Sequence, residues 1–440
     1  MTKTVRDDSI VKSLLILSMP TILEQILQTL FQYVDTAMVG HLGEQATSSV
    51  SITTTINWLI GSFISAIGVA AIAIISRQIG ANNQKKVTTV SKQLLLLAAV
   101  IGLSLGIISC ALSPFIPQWM GAETNIQKDA GIYFFIISLP MIFRAGNSIF
   151  GYALRATKDT KTPLYVNLCA NACNIVLNYI LIYVCSLGVT GAAIASAISY
   201  TFAGTAMFIA YRRNAFLRYD MKDFCIHAGQ IREIFKIALP VLLTGITSCF
   251  GYVMFAALVS GLGTHVFAAH SLAVTAEQLF YIPGYGLRTA TSTMIGNSLG
   301  ERDHKKFRLV SHYSIVITLF MMLISGLVLY FAAYPIMCLF TSSKSVATLG
   351  SEMLRIVAFS EPFFGLMIVV EGILYGMGQT KPPFYIETIG MWCIRILFTF
   401  FCVSFWGFGL TAVWICMIAD NIFKAVCLFA YFRIKVVPES

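Results

Sequence analysis

Charge is scarce in this chain: 11% of its 440 residues are Asp, Glu, Lys or Arg, against about 25% in ordinary soluble domains. Acids are scarcer than bases, 20 against 30. With 57% hydrophobic residues and a mean hydropathy of +0.78, a soluble globular class is excluded and a lipid-embedded one is indicated. No Gly-Lys-Ser/Thr phosphate loop is present, which excludes ATP coupling within the chain. The 11 cysteines show no zinc or redox spacing; the nearest pair, Cys169 and Cys173, are one helical turn apart and read as small packing groups. No His, Asp or Ser cluster at catalytic spacing supports an intramembrane protease or acyltransferase. Met1–Lys12 is polar and carries both signs, so no cleaved leader is expected and the first apolar stretch serves as an anchor.

Long apolar stretches take the place of charge. They fall near 14–39, 49–75, 93–117, 130–153, 163–185, 190–211, 234–259, 266–295, 309–334, 349–375, 384–405 and 409–432, giving an all-α chain of twelve expected spans. With the N-terminus inside, most of the 30 Lys and Arg fall in inner loops and tails, including the group at 155–161, while the outer loops hold only Lys128 and Lys344. This positive-inside pattern places both termini in the cytoplasm. The net charge of +10 therefore records topology and not a nucleic-acid partner.

The chain is also written twice. Pro20, Gly43, Gly80, Lys85, Lys86, Thr160, Lys161 and Pro163 recur 220 positions later as Pro240, Gly263, Gly300, Lys305, Lys306, Thr380, Lys381 and Pro383. Their number proves little, because about one position in fifteen matches by chance; their placement on the punctuation between spans is what counts. Six spans per copy is even, so the repeats run parallel, related by a pseudo-two-fold axis along the membrane normal. The expected division is an N-lobe 1–211, a cytoplasmic linker 212–233 and a C-lobe 234–440. Gly80 and Gly300 each close a long span and are expected to supply its left-handed cap.

Polar side chains inside spans cost roughly 2.5–3.5 kcal/mol each when ionisable, so they must face a cavity or the bundle interior. On span one, Thr21, Glu24, Gln25, Gln28, Gln32 and Asp35 share a stripe about 100° wide at about 100° per residue. On span five, Asn167, Asn171, Asn174 and Asn178 lie within about 60° of one another. The repeat tests whether these are scaffold. Their counterparts 220 positions on include Thr244, Ser248, Tyr252, Phe255, Met391, Ile394 and Phe398, so the stripe exists in one copy, which favours function. The second copy carries other charges: Glu277 before Pro283-Gly284, with Asn57 as counterpart, and Glu371, with Gly151 as counterpart. Asp420 and Lys424, one turn apart, are expected to neutralise each other. His270 is expected to be packed and not a metal ligand.

These residues reach a family pattern. Met19-Pro20, the run Val34 to Gly43 with Asp35 in it, Gly80-Ala81, Thr160 to Pro163, Asn174 to Asn178, Gly188 to Ala193, and Ala268-Ala269-His270 with Glu277 and Pro283-Gly284 resemble the multidrug and toxic compound extrusion (MATE) family over essentially the whole chain. The resemblance implies a V-shaped pair of six-helix lobes in the plasma (inner) membrane. It also implies a secondary active antiporter, exporting cationic amphipathic compounds in exchange for protons or sodium ions. The family's N-lobe ion site maps onto Asp35, Asn174, Asn178 and Ser196, with Asp35, Asn174 and Asn178 as the metal ligands if sodium is used. Where many relatives carry an aspartate, Asn178 supplies an amide. Members with a C-lobe sodium site use carboxylates on spans seven and ten; Ser248 and Phe364 stand there, so that site is not expected. The substrate cavity is expected to draw on Glu24, Gln28, Gln32, Asn171, Glu277 and Glu371. No cofactor beyond the coupling ion, no nucleic acid and no enzymatic activity are expected; membrane lipids and cationic organic molecules are the partners, and the chain is expected to be a monomer. The rival readings are a lipid-linked-sugar flippase of the same superfamily, which would want a cationic cavity, and a channel.

Overall fold

The computed structural model describes residues 7–219 and 225–436, and the regular structure among them is helical throughout. Part of the expected linker, 220–224, and the two chain tails lie outside the described residues. The elements are α1 (Asp7–Gly40), α2 (Glu44–Ser51), α3 (Thr54–Gly80), α4 (Gln84–Leu112), α5 (Ile116–Trp119), α6 (Thr124–Ser138), α7 (Met141–Ala156), α8 (Lys161–Asn178) and α9 (Gly188–Arg213). They continue as α10 (Ala228–Ser260), α11 (Thr264–Glu301), α12 (His304–Phe340), α13 (Lys344–Ala358), α14 (Glu361–Gly376), α15 (Lys381–Ile389), α16 (Phe398–Ser404) and α17 (Leu410–Tyr431). π-helical turns extend α8 through Tyr179–Val184, join α15 to α16 through Gly390–Leu397 and follow α17 at Phe432–Val436.

With α2 and α3, α6 and α7, and α13 and α14 each taken as one leg, the described helices group into twelve legs. Among the described residues nine are long and apolar enough to cross a membrane, and the bent pairs α6–α7 (53°) and α13–α14 (56°) raise the number to eleven. The twelfth is α11, whose hydropathy is lowered chiefly by His270, Glu277, Gln278 and Arg288. Helices are the expected solution, since apolar surroundings leave each backbone N–H and C=O to be satisfied within its own segment.

The repeat is visible in the backbone at the same 220-residue offset. α13 and α14 begin and end 220 positions after α6 and α7. Gly43 and Gly263 precede α2 and α11 with φ of 109° and 106°. Asn82 (φ 52°) is matched by Arg302 (φ 56°), and Lys158 (φ 69°) by Gly378 (φ 75°).

These matched turns correct the expectation for Gly80 and Gly300, which lie within their helices and do not take the left-handed conformation. The hydrogen bonds show why. Asn82 N–H donates to Ile79 O and Asn83 N–H to Gln78 O, each at 3.0 Å; Arg302 N–H donates to Leu299 O at 3.2 Å and Asp303 N–H to Ser298 O at 3.1 Å. In this motif the left-handed residue is the next-to-last of the closing ring, two positions beyond the glycine. The residue after it starts the next helix: the Asn83 side chain accepts from Lys86 N–H at 3.1 Å and Asp303 from Lys306 N–H at 2.8 Å.

Two compact units result. The N-unit is Leu23–Leu239; the C-unit is Met1–Ile22 together with Pro240–Ser440. The divisions fall inside α1 and α10, next to Pro20 and Pro240, and not in the 212–233 stretch. A helix-interior proline removes one backbone hydrogen bond and loosens the helix where it sits. The start of α1 belongs to the C-unit core, where Ile10, Leu14 and Leu17 pack with Met294, Val369, Ile373 and Leu428. The start of α10 belongs to the N-unit, where Glu233 pairs with Lys86 at 3.0 Å. In the N-unit α7 and α9 are the central packing helices; in the C-unit α11, α12 and α14 are.

Candidate functional site

Inside the N-unit α1, α3, α7, α8 and α9 surround a cavity of about 600 Å³, within the range of small-molecule sites. From α1 it is lined by Glu24, Gln28, Gln32 and Asp35, from α8 by Asn167, Asn171 and Asn174, and from α9 by Ser196 and Tyr200. Glu24, Gln28, Gln32 and Asp35 of one stripe and Asn167, Asn171 and Asn174 of the other thus face one space, while Thr21, Gln25 and Asn178 are not part of its lining.

At one place in this cavity Asp35 accepts a hydrogen bond from Asn178 Nδ2. The same amide donates to Asn174 Oδ1 at 3.2 Å, and Asn174 Nδ2 donates to Ser196 Oγ at 3.4 Å. Asn178 is fully buried and is the last α-helical residue before the π turn. Its Oδ1 has no hydrogen-bond partner among the described residues. A carboxylate, amide oxygens and a hydroxyl are hard oxygen donors, which fit a proton or a sodium ion. No Lys, Arg or His among the described residues forms an ion pair with Asp35.

Glu24 is different. Arg155 Nη2 donates to its two oxygens at 2.8 and 2.7 Å, and Asn167 Nδ2 donates to Oε1 at 2.6 Å. Asn147 Nδ2 in turn donates to Asn167 Oδ1 at 3.0 Å. Glu24 lines the cavity with its charge already compensated.

The structure corrects the placement of Arg155 among the inner-loop cations: it is in the last turn of α7, its side chain 11% exposed. A third polar stripe accompanies it. Arg144, Asn147, Ser148, Tyr152 and Arg155 all line the cavity from α7, and their spacing of three and four places them on one helix face. That periodicity was available in the sequence; Arg155 was hidden by its nearness to the Lys158 and Lys161 loop. Arg144 donates to Asn57 Oδ1 at 3.1 Å and stands 4.8 Å above the Tyr200 ring.

Glu277 and Glu371 belong to the C-unit and do not line this cavity. Glu277 accepts from the Tyr281 hydroxyl. Glu371 pairs with Arg288 at 3.0 Å. Asp420 pairs with Lys424 as expected, at 2.9 Å, and also with Arg395 at 2.9 Å. His270 is buried between the rings of Phe255 and Trp414, a packed histidine.

Twelve helical legs in two related sets, with apolar outer surfaces and a polar cavity within one unit, define a polytopic helical membrane protein. The MatE family model matches residues 20–180 and again 240–401, the second match starting 220 positions after the first. The chain belongs to the MatE family. It is 27% identical over 435 residues to a probable multidrug resistance protein NorM of Thermotoga maritima, covering 96% of this chain and 92% of that protein. A probable multidrug resistance protein YpnP of Bacillus subtilis is 24% identical, covering 97% and 95%. A solved outward-facing multidrug resistance MATE family transporter of the MOP superfamily superposes with a TM-score of 0.92 over 99% of both chains at 22% identity, a likeness of fold.

Proposed function

We propose that this protein is a multidrug efflux antiporter that exports cationic amphipathic compounds in exchange for protons or sodium ions by alternating access. It acts as a monomer in the plasma membrane with both termini cytoplasmic. The supporting relatives are described as multidrug resistance proteins. The observation that carries the coupling assignment is Asp35: a carboxylate lining a drug-sized cavity, beside Asn174, Asn178 and Ser196, with no cation among the described residues in an ion pair with it. Either a proton on Asp35 or a sodium ion held by Asp35 and the amide and hydroxyl oxygens removes its charge, and a cationic drug competes for the same charge. One ion moving inward supplies roughly 2.3 kcal/mol per 100 mV of membrane potential.

The lipid-linked-sugar flippase reading requires an excess of cations for an anionic head group. The charged side chains lining this cavity are two acids, Glu24 and Asp35, and two arginines, Arg144 and Arg155. Arg155 is committed to Glu24.

The test is transport by the purified protein in sealed proteoliposomes, with pH and sodium gradients imposed separately. Asp35→Asn is expected to insert and fold normally and to lose gradient-driven export of a cationic dye. Undiminished, gradient-dependent export by that variant would refute the assignment.

A further inference from the structure

With Glu24 and Arg155 compensating each other, the charged side chains left lining the N-unit cavity are Asp35 and Arg144. Neither forms an ion pair among the described residues. Arg144, on α7, is held instead by two neutral groups: Nη1 donates to Asn57 Oδ1 at 3.1 Å, and the guanidinium stands 4.8 Å above the Tyr200 ring. Asn57 is itself fixed, because its Nδ2 donates to Thr53 O at 3.1 Å and leaves Oδ1 for the arginine. An amide oxygen and a ring face orient a guanidinium without removing its charge. Tyr133, buried on α6, senses the charges of both Asp35 and Arg144, which puts the two around one part of the cavity.

The repeat supplies a comparison. Adding 220 takes Asn57 to Glu277 and Tyr200 to Asp420. Both neutral partners of Arg144 are therefore carboxylates in the C-unit, where Asp420 compensates the buried Arg395 at 2.9 Å. Arg144 itself has Phe364 as counterpart. The N-unit thus places an arginine where the two acid positions hold an amide and a phenol, and its charge stays uncompensated.

We infer that Arg144 is a specificity-determining residue of the transport cavity: a resident cation that limits the charge of the cargo and favours organic monocations over dications. The inference rests on the antiport reading above and adds to it the charge of the substrate. A guanidinium stays ionised at every physiological pH, so its field acts on the cargo throughout the transport cycle. With Asp35 ionised the two charges balance; a monovalent cargo then leaves the cavity with one positive charge, and a divalent cargo leaves it with two. Repulsion built into a site in this way separates ligands that its attractive contacts would accept alike. When a proton or a sodium ion loads Asp35, the charge of Arg144 stands alone, and the same repulsion favours release of the cargo.

The experiment compares ethidium and propidium, fluorescent dyes that share one aromatic ring system and carry one and two positive charges. Equilibrium binding of each to the purified full-length protein is measured in sodium-free alkaline buffer. Coulomb energy scales with the charge of the cargo; for a separation on the order of 12 Å and an effective dielectric constant of about 20, Arg144→Gln should tighten ethidium about tenfold and propidium about a hundredfold. Arg144→Lys keeps the charge and should bind both dyes within about twofold of wild type. An equal gain for the two dyes, or a gain in Arg144→Lys as large as in Arg144→Gln, marks a steric role and overturns the inference. Should Arg144→Gln fail to fold, Tyr200→Asp decides the matter. An acid at the position that serves Arg395 in the C-unit should compensate Arg144 in place and tighten propidium more than ethidium; no such difference overturns the inference. Asp35→Asn, measured alongside, should weaken both dyes. Unchanged binding by that variant counts against the Asp35 reading, while the inference about Arg144 stands or falls on its own two-dye comparison.

Discussion

Tyr152 lays its ring on Gly68: a Cβ at position 68 would come within 2.6 Å of the ring's Cγ and 2.8 Å of Cε2. At the equivalent contact in the C-unit the sizes are exchanged. Position 288 is Arg and position 372 is Gly, where a Cβ would stand 2.9 Å from Arg288 Cγ. The large and small partners have changed places between two copies of one helix pair, α3 with α7 and α11 with α14. The exchange accompanies a different compensated ion pair in each unit. Arg288 brings a guanidinium that Glu371 compensates, where the N-unit has Gly68 and Gly151. The N-unit's own pair, Glu24 and Arg155, is Thr244 and Tyr375 in the C-unit.

Gly68→Ala should therefore destabilise the protein by about 1–3 kcal/mol through overpacking, and Gly68→Ala with Tyr152→Ala should recover at least half of that loss. Thermal unfolding of Gly68→Ala, Tyr152→Ala and the double variant beside wild type in one detergent reads the coupling. Equal losses in Gly68→Ala with and without Tyr152 would show that the contact is not what limits position 68.

Glu24 and Arg155 form an enclosed ion pair in the N-unit, their side chains 6% and 11% exposed. Removing one partner leaves an uncompensated buried charge, which costs about 3–5 kcal/mol. Arg155→Met should lower folded yield and melting temperature sharply, and Arg155→Met with Glu24→Gln should be closer to wild type than Arg155→Met alone. A double variant as unstable as the single one would remove the pair from the account.

Much of this was legible in the sequence, and what was not has identifiable causes. The twelve legs, the 220-residue register and the stripes on α1 and α8 were readable because each is a periodic signal along one helix or one copy. The face formed by Glu24, Gln28, Gln32 and Asp35 meets the Asn167, Asn171 and Asn174 face in one cavity, and that meeting needs only periodicity and the cost of burying polar groups. Arg155 was misplaced because a cation at a helix end beside Lys158 and Lys161 looks like a loop charge; only its contact with Glu24, 131 residues away in sequence, reveals its role. Glycine preference alone points to Gly80 and Gly300 as caps, but the hydrogen-bond ring sets the left-handed residue at Asn82 and Arg302. The Gly68 and Tyr152 exchange with Arg288 and Gly372 cannot be read from one position at a time, since each substitution looks arbitrary until its partner is known.

The two left-handed caps offer a stabilising change. Arg302 holds φ 56° and Gly378 holds φ 75°, and a non-glycine residue there costs on the order of 1 kcal/mol. Arg302→Gly should raise the melting temperature while Gly378→Ala lowers it, and both should leave dye export per folded molecule unchanged. Matching shifts of the same sign would mean that conformation at these turns does not limit stability.

Asp420 binds two cations, and that arrangement orders the effects of changing its members. Gly390 permits it: a Cβ there would stand 2.6 Å from Lys424 Cε and 2.9 Å from its Cγ. Removing Asp420 strands both Arg395 and Lys424 in the interior, whereas removing Lys424 leaves Asp420 with Arg395 at 2.9 Å. Asp420→Asn should thus cost at least the roughly 3–5 kcal/mol expected of a broken buried pair, and Lys424→Met distinctly less. In the Lys424→Met background, Asp420→Asn should cost less than it does in wild type, because one stranded cation remains in place of two. Thermal unfolding of these three variants beside wild type supplies the cycle; equal costs for Asp420→Asn in both backgrounds would show that Lys424 draws its compensation from elsewhere in the C-unit.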